Sequence, residues 1–235
     1  MRPLVRYVDK EQAVIDAVFT VTNTELLAGD AIEIHIQLTG PKGRVYVHQS
    51  TVQLENDTGV VRFSIGDPLR WWPATLGEQS LYQMIVTILA GDAAIDTWKT
   101  TLGMTSVRKP SRGKGSPLLV NGRTYDIQEI IAVDEADENS VLPVAGDCLL
   151  LIRDHFGPDV LYEAADRAGI LLVQSVPMSH VSEPPVHVRR EVDRLSAHPC
   201  LAGWLVGKKG RRADRIANRV HTLDPTRTVF RGLPC

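Results

Sequence analysis

Two adjacent lysines follow an apolar segment that is typical of a buried strand. The segment LAGWLVG (residues 201–207) ends directly before Lys208 and Lys209. Active sites of parallel βα proteins collect at the carboxyl ends of strands, so Lys209 could form a Schiff base, with its pKa lowered by Lys208. The basic run GKKGRR (residues 207–212) could instead contact an anion or a nucleic acid at a helix N-terminus. The third interpretation, a solvated loop without chemistry, is the one that the residues favour.

Carboxylates follow other predicted strands. Glu129, Asp154 and Glu183 are expected near carboxyl strand ends, and His155 lies beside Asp154. Two carboxyl groups that face the same bond could act as a general acid and a general base. Charged residues are also common on such loops without any catalytic role. A displaced acid/base pair is therefore a hypothesis that the structure has to test.

The composition is that of an ordinary globular protein. Of the 235 residues, 43% are hydrophobic and 23% are charged, with a formal net charge of -2. This balance allows a sizeable core and disfavours a dedicated nucleic-acid binder. No apolar run reaches the roughly 20 residues that span a bilayer, and the N-terminal sequence has no signal-peptide pattern. We therefore expect no membrane contact and a cytoplasmic location.

The three cysteines give no sign of a metal site. Cys148, Cys200 and Cys235 lack the spacing of metal ligands, and an odd number of cysteines suits a reducing compartment. The dipeptide His198-Pro199 is better interpreted as the turn before the next strand than as a metal ligand. We expect no cofactor and no bound metal.

The pattern up to residue 107 predicts an antiparallel sandwich. The segment AIEIHIQL (residues 31–38) alternates apolar and polar side chains, so Ile32, Ile34 and Ile36 should face a core. Similar segments follow, separated by Gly, Asp and Pro turns. The next stretch, residues 108–117, is rich in Pro, Gly, Ser and basic residues, and we interpret it as an exposed linker rather than a phosphate-binding loop.

Residues 118–235 change to alternating strands and helices. TYDIQEIIAV (residues 124–133) and ILLVQSV (residues 170–176) are strand-like, whereas PDVLYEAADRAG (residues 158–169) has helical spacing and ends at a C-cap glycine. This alternation indicates βα units with a parallel sheet. Only about five strands are present, whereas a closed (β/α)8 barrel needs eight.

Several segments resemble glycoside hydrolase family 2, the group of β-galactosidases, β-glucuronidases and β-mannosidases. Residues 68–88, PLRWWPATLGEQSLYQMIVTI, are similar to the WWP and LY segment of the family's sandwich, and TTLGMTSV (residues 100–107) is similar to the strand that ends it. Matches to the family's barrel follow in the family's order: LLVNGRTYDIQEI, LYEAADRAGILLVQSVP, HPCLAGWLVG and LDPTRTVF. The resemblance implies an immunoglobulin-like β-sandwich followed by a partial, half (β/α)8 TIM-type barrel.

The resemblance also implies a chemistry that the site residues contradict. Family members are retaining β-glycosidases that use one carboxyl group as acid/base and a second, about 5 Å away, as nucleophile. The acid/base belongs to an Asn-Glu pair whose positions are Lys208 and Lys209 here, and the nucleophile would lie beyond Cys235. Gln128 and Glu129 replace the family's Arg-Gly, and we expect no counterpart of the sugar-binding domain that precedes the sandwich in the family. We therefore predict a non-catalytic structural or interaction subunit.

An alternative function is a glycosidase or carbohydrate-binding component that another chain completes. The candidate ligand or partner contacts are then Glu129, Asp154, His155, Trp204, Lys208 and Lys209. The simpler interpretation of the tryptophans is packing: Trp71 and Trp72 between the two domains, and Trp204 in the barrel core.

A half-barrel predicts a partner. Five parallel strands would leave open edges and an uncovered apolar face, which proteins avoid exposing. We expect a second copy of the chain, its own sandwich or a different protein to cover this surface. Carbohydrate is a candidate ligand, and nucleic acid is not expected.

Overall fold

A computed structural model describes most of the chain. The described residues are 1–22, 31–55, 57–90, 93–109, 117–133, 147–177, 185–207 and 210–232. Two predicted features of the sequence fall outside them: Glu183, and the pair Lys208 and Lys209.

Two antiparallel sheets form the first part of the chain. Their strands are β1 (Arg2–Val8), β2 (Gln12–Thr20), β3 (Ala31–Thr39), β4 (Val45–Gln53), β5 (Thr58–Gly66), β6 (Leu81–Ala90) and β7 (Ala93–Gly103). One sheet has the order β1-β2-β5 and the other β4-β3-β6-β7. Both sheets contribute to one hydrophobic core, in which Ile32, Ile34 and Ile36 are buried as their alternation predicts. The predicted sandwich is confirmed.

A small antiparallel sheet follows the sandwich. It contains β8 (Val107–Arg108), β9 (Leu118–Val120) and β10 (Arg123–Tyr125) in the order β10-β9-β8. Arg108, which the sequence assigns to the exposed linker, is therefore a strand residue that pairs with Leu119. The rest of the predicted linker, apart from Lys109 and Pro117, lies outside the described residues.

The third part is a parallel sheet with helices. Its strands are β11 (Glu129–Val133), β12 (Cys148–Ile152), β13 (Leu171–Ser175), β14 (Leu201–Leu205) and β15 (Thr228–Phe230), and its helices are α1 (Asp159–Ala168), α2 (Pro185–Leu195) and α3 (Arg211–Leu223). The strands are hydrogen-bonded in chain order and all pairs are parallel. The predicted βα alternation is confirmed. The structure shows a five-stranded parallel sheet. This observation does not by itself establish the half-barrel that the resemblance implies.

The central parallel strands are buried on both faces. All five residues of β12 are buried, as are four of the five in both β13 and β14. The exposed large apolar side chains of the described part include Val45, Val47 and Ile95 of the sandwich, and none belongs to the parallel sheet. The described chain itself therefore buries both faces of these strands, so the apolar face that we expected to need a cover is not exposed there. Partial exposure is concentrated in the edge strands β11 and β15.

Candidate functional site at the carboxyl edge of the parallel sheet

The turn after β12 brings Asp154 and His155 to the carboxyl edge of the parallel sheet, as the sequence predicts. Asp154 is exposed and has a left-handed backbone, with φ of 60°. The His155 ring is positioned by its Nδ1, which lies 2.8 Å from the Arg153 carbonyl oxygen. This edge is where βα proteins place reactive groups.

A buried glutamine holds this turn in place. Gln174 in β13 is fully buried, and its Nε2 donates to the carbonyl oxygen of His155 at 2.6 Å. Its Oε1 accepts a hydrogen bond from the hydroxyl of Tyr162 in α1. Burial raises the pKa of Tyr162, so this phenol remains a donor throughout the physiological range. Gln174 is the single polar residue in the apolar run ILLVQ, and that signal could have identified it from the sequence.

Glu129 lies at the opposite edge, so its predicted position is wrong. It is the first residue of β11 and is paired with Cys148, the first residue of β12. Asp154 comes six positions after Cys148, and a strand rises roughly 3.3 Å per residue, which separates the two edges by about 20 Å. Glu129 and Asp154 therefore cannot act on the same bond.

A retaining glycosidase site needs two facing carboxyl groups. In the described turns that follow β12, β13, β14 and β15, Asp154 is the only carboxylate. Glu183, Lys208 and Lys209 are outside the described residues, so they add no observed geometry. The described part of this edge therefore assembles no acid/base pair.

Trp204 is a core residue rather than a ligand contact. Its side chain has 0% exposure, and its Nε1 donates to Oδ2 of Asp224 at 2.9 Å. Asp224 also accepts from the Thr226 hydroxyl at 2.6 Å, which fixes the turn between α3 and β15. The candidate role of Trp204 as a ligand contact is wrong because no part of its ring is accessible, and the core interpretation is confirmed.

A second cluster lies at the amino end of β14 and joins three segments. Asp166 of α1 accepts from the Cys200 backbone N–H at 3.0 Å, and its other carboxylate oxygen lies 2.6 Å from Nδ1 of His198. The carbonyl oxygen of Asp166 accepts from Nε1 of Trp71 at 2.8 Å. Sequence analysis missed this cluster because its members are separated by many residues and carry no local motif.

The same cluster also has the residue types of a metal site. The ligand atoms of Asp166, His198 and Cys200 lie within 4.8 Å of one another. Burial raises the pKa of the Cys200 thiol well above its usual value. Both carboxylate oxygens of Asp166 already accept hydrogen bonds. The cluster is a structural hydrogen-bond network. His198 lies in the turn that the sequence predicts before β14, and its carbonyl oxygen accepts a hydrogen bond from the Leu201 N–H at 3.2 Å.

The tryptophan pair packs the sandwich against the parallel sheet, as predicted. Trp71 is fully buried and belongs, with Trp72, to the hydrophobic core of the parallel sheet. The guanidinium groups of Arg70 and Arg123 lie 4.8 Å and 4.9 Å from the Trp72 ring centroid. Such cation–π contacts add to the packing. The rings are therefore unavailable as a platform for a sugar.

A cleft of about 540 Å³ lies away from the carboxyl edge, between the sandwich strands β6 and β7 and the helices α1 and α2. Arg194 in its wall forms hydrogen bonds with Asp159 at 2.5 Å and with Glu191 at 2.6 Å. In the described part of the chain, no helix has the length and apolarity to cross a membrane.

This architecture, a β-sandwich followed by a parallel βα sheet, is the one found in glycosidase structures. The putative β-galactosidase from Bacteroides fragilis superposes with a TM-score of 0.73 at 16% identity, over 97% of this chain and 38% of that one. A glycosyl hydrolase family 2 member from Bacteroides cellulosilyticus gives a TM-score of 0.77 at 18% identity, over 98% of this chain and 35% of that one.

Sequence comparisons define the relationship more closely. Residues 6–104 match the family model described as Glycosyl hydrolases family 2. An exo-β-D-glucosaminidase of Streptomyces avermitilis is 23% identical over 208 residues, which cover 72% of this chain and 23% of that protein. β-Mannosidase B of Thermothelomyces thermophilus is 25% identical over 215 residues, or 74% of this chain and 24% of that protein. The resemblance to glycoside hydrolase family 2 is confirmed, and the chain spans about a quarter of the length of these curated relatives.

Proposed function

We propose that the chain is a non-catalytic relative of the family 2 glycosidases that serves as a structural or interaction subunit. The observation that carries the proposal is the sequence after β14, which continues with Lys208 and Lys209 where the resemblance implies the family's Asn-Glu pair. A lysine cannot supply the negative charge that stabilises an oxocarbenium-like transition state. The turn after β12 supports the proposal, because Asp154 has no second carboxylate opposite it among the described residues.

The proposal includes the identity of the parallel sheet as part of a (β/α)8 barrel. Three features support this assignment: parallel pairing, strand order equal to chain order, and a helix before β13, β14 and β15. The superpositions on family structures, which cover nearly the whole chain, agree with it. On this assignment Asp154 and His155 lie on the face that carries the active site in barrel enzymes.

Hydrolysis of nitrophenyl β-glycosides tests the non-catalytic function. We expect the purified chain to release no nitrophenol above the buffer blank from glucosaminide, mannoside, galactoside or glucuronide substrates, because the described residues of the carboxyl edge assemble no carboxylate pair. The exo-β-D-glucosaminidase relative is the positive control for the assay. Turnover that is lost in the Asp154→Asn variant would contradict the proposal. Such turnover would support the alternative function, a glycosidase component.

The partner that we propose for this subunit is a second copy of the chain. Within the described residues, β11 and β15 each pair on one side only, and an edge strand offers unpaired N–H and C=O groups to another chain. Light scattering coupled to size-exclusion chromatography should give twice the 25.9 kDa of one chain. Ala132→Lys places a charge on exposed β11 and should yield monomer, whereas the control Gln49→Lys on the sandwich edge β4 should not. A wild-type monomer at all concentrations would contradict self-association.

A further inference from the structure

A cleft on the side of the molecule next to β1 has an unusual charge. It encloses about 480 Å³ between β1, β8 and the turn that joins α3 to β15. We call it the arginine cleft, because Arg6, Arg108 and Arg227 line it together with His221. No aspartate or glutamate is among its lining residues, all of which the structure describes.

Arg227 is a buried cation that has no carboxylate partner among the described residues. Its residue exposure is 4%, and its two terminal nitrogens reach neutral acceptors there, the Thr226 hydroxyl and the His198 carbonyl oxygen, each at 3.3 Å. Its Nε has no hydrogen-bond partner in the same part of the chain. Buried guanidinium groups are normally paired, because an unpaired buried charge is costly. The described residues therefore leave this charge incompletely compensated.

The buried carboxylates at this end of the sheet are committed to other groups. Asp224 accepts from Trp204 Nε1 and from Thr226, and Asp166 interacts with His198 and with the Cys200 N–H. Neither forms an ion pair with Arg227 within 4.0 Å. Rearrangement of either carboxylate toward Arg227 would break these hydrogen bonds, so an external anion is the less costly counterion.

The two exposed arginines add to the excess of positive charge. Nε of Arg6 lies 3.5 Å from Oδ2 of Asp16, but Arg62 already holds that carboxylate by two hydrogen bonds of 2.7 Å and 2.9 Å. One carboxylate thus serves two guanidinium groups. Arg108 is exposed and takes part in no ion pair within the described residues. Three arginines therefore line one cleft, and the one carboxylate that pairs with any of them among the described residues, Asp16, is shared with Arg62.

We infer that the arginine cleft binds a small oxyanion, in the form of inorganic phosphate or an organic phosphate monoester. Guanidinium groups present pairs of N–H donors that match two oxygens of a phosphate. The hydroxyls of Ser106 and Thr228 line the same cleft and supply further donors. A volume of this size accommodates a phosphate together with a small organic group. This site is separate from the carboxyl edge of the parallel sheet, and the inference does not rest on the proposed function.

Titration calorimetry and thermal unfolding with inorganic phosphate and with phenyl phosphate test the inference. Both phosphates should bind and raise the Tm above the value in sodium chloride of equal ionic strength. Tighter binding of phenyl phosphate would identify the monoester as the preferred ligand, and equal binding would identify the phosphate group alone. Arg108→Gln should weaken binding about tenfold, because one charge-assisted hydrogen-bonding group is lost.

The exposed residue Arg215 on α3 provides the matched control, because it is outside the cleft. Arg215→Gln removes the same charge and should leave phosphate affinity unchanged. Equal effects of phosphate and chloride on the wild-type protein would overturn the inference. So would an equal loss of affinity in Arg108→Gln and Arg215→Gln, because binding would then depend on net charge alone.

Discussion

Replacement of Asp166 by alanine should lower the free energy of unfolding by about 3–5 kcal/mol. The carboxylate of Asp166 is 2% exposed at the residue level and interacts with the His198 ring and the Cys200 N–H, so its removal leaves both groups buried without this partner. Asp166→Asn keeps one acceptor oxygen and should cost less than the alanine variant. Chemical denaturation monitored by tryptophan fluorescence measures the differences.

The control for this prediction is Glu163→Ala in the same helix. Glu163 is exposed, and its ion pair with Arg167 has an N–O distance of 3.7 Å, so this variant should be close to wild-type stability. A loss in Asp166→Ala no larger than that in Glu163→Ala would show that the amino-end network does not stabilise the fold.

Gly169→Ala is expected to destabilise the protein by about 2–4 kcal/mol, because two separate penalties act at this position. The glycine ends α1 with φ of 70°, a conformation that side chains disfavour. An added Cβ would also lie 2.6 Å from the backbone nitrogen of Ala74, whose N–H donates to the Gly169 carbonyl oxygen at 2.9 Å. The steric clash between the added Cβ and Ala74 would therefore occur at the contact between the sandwich and the parallel sheet.

Gly122→Ala separates the two penalties. Gly122 has φ of 83°, but an added Cβ there would meet no atom within 4 Å. Its substitution should show the conformational penalty alone, so Gly169→Ala should be clearly the more destabilising of the two in thermal or chemical unfolding. Equal losses of stability would mean that the close contact between the added Cβ and Ala74 adds no penalty at Gly169.

Local patterns were sufficient for much of the fold. The alternation in β3 has the period of a strand, and the apolar run of β13 has the short length of a buried strand; both strands are present. The C-cap glycine of α1 is likewise a local requirement of backbone geometry. These features depend on neighbouring residues, and a single sequence contains that information.

Strand boundaries required tertiary information. TYDIQEIIAV (residues 124–133) is predicted as one strand, but it contains the end of β10 and all of β11, in two different sheets. The hydroxyl of Tyr125 donates to the Cys148 carbonyl oxygen at 2.7 Å, which holds the end of β10 near the start of β12. In the structure β11 begins at Glu129, after this contact. This long-range contact places Glu129 at the amino edge, and no local pattern could have shown it.

The candidate site was predictable only in part. Asp154 and His155 lie at the carboxyl edge because the end of β12 is set by its apolar run. The Asp166, His198 and Cys200 network joins a helix to a turn more than 30 residues further along the chain, so packing alone brings it together. The apolar runs indicated that the central strands are buried, but hydrophobicity does not reveal which surface covers a strand.

Covalent trapping tests most directly whether the chain lacks retaining-glycosidase chemistry. A cyclophellitol aziridine reacts with the nucleophilic carboxylate of a retaining β-glycosidase, because this mechanism proceeds through a covalent intermediate. After incubation with such a probe, intact-mass spectrometry should show the unmodified chain of 25.9 kDa, while an active β-glucosaminidase or β-mannosidase relative treated with the matching probe gains one adduct. A single stoichiometric adduct on an aspartate or glutamate of this chain would contradict the proposed non-catalytic function.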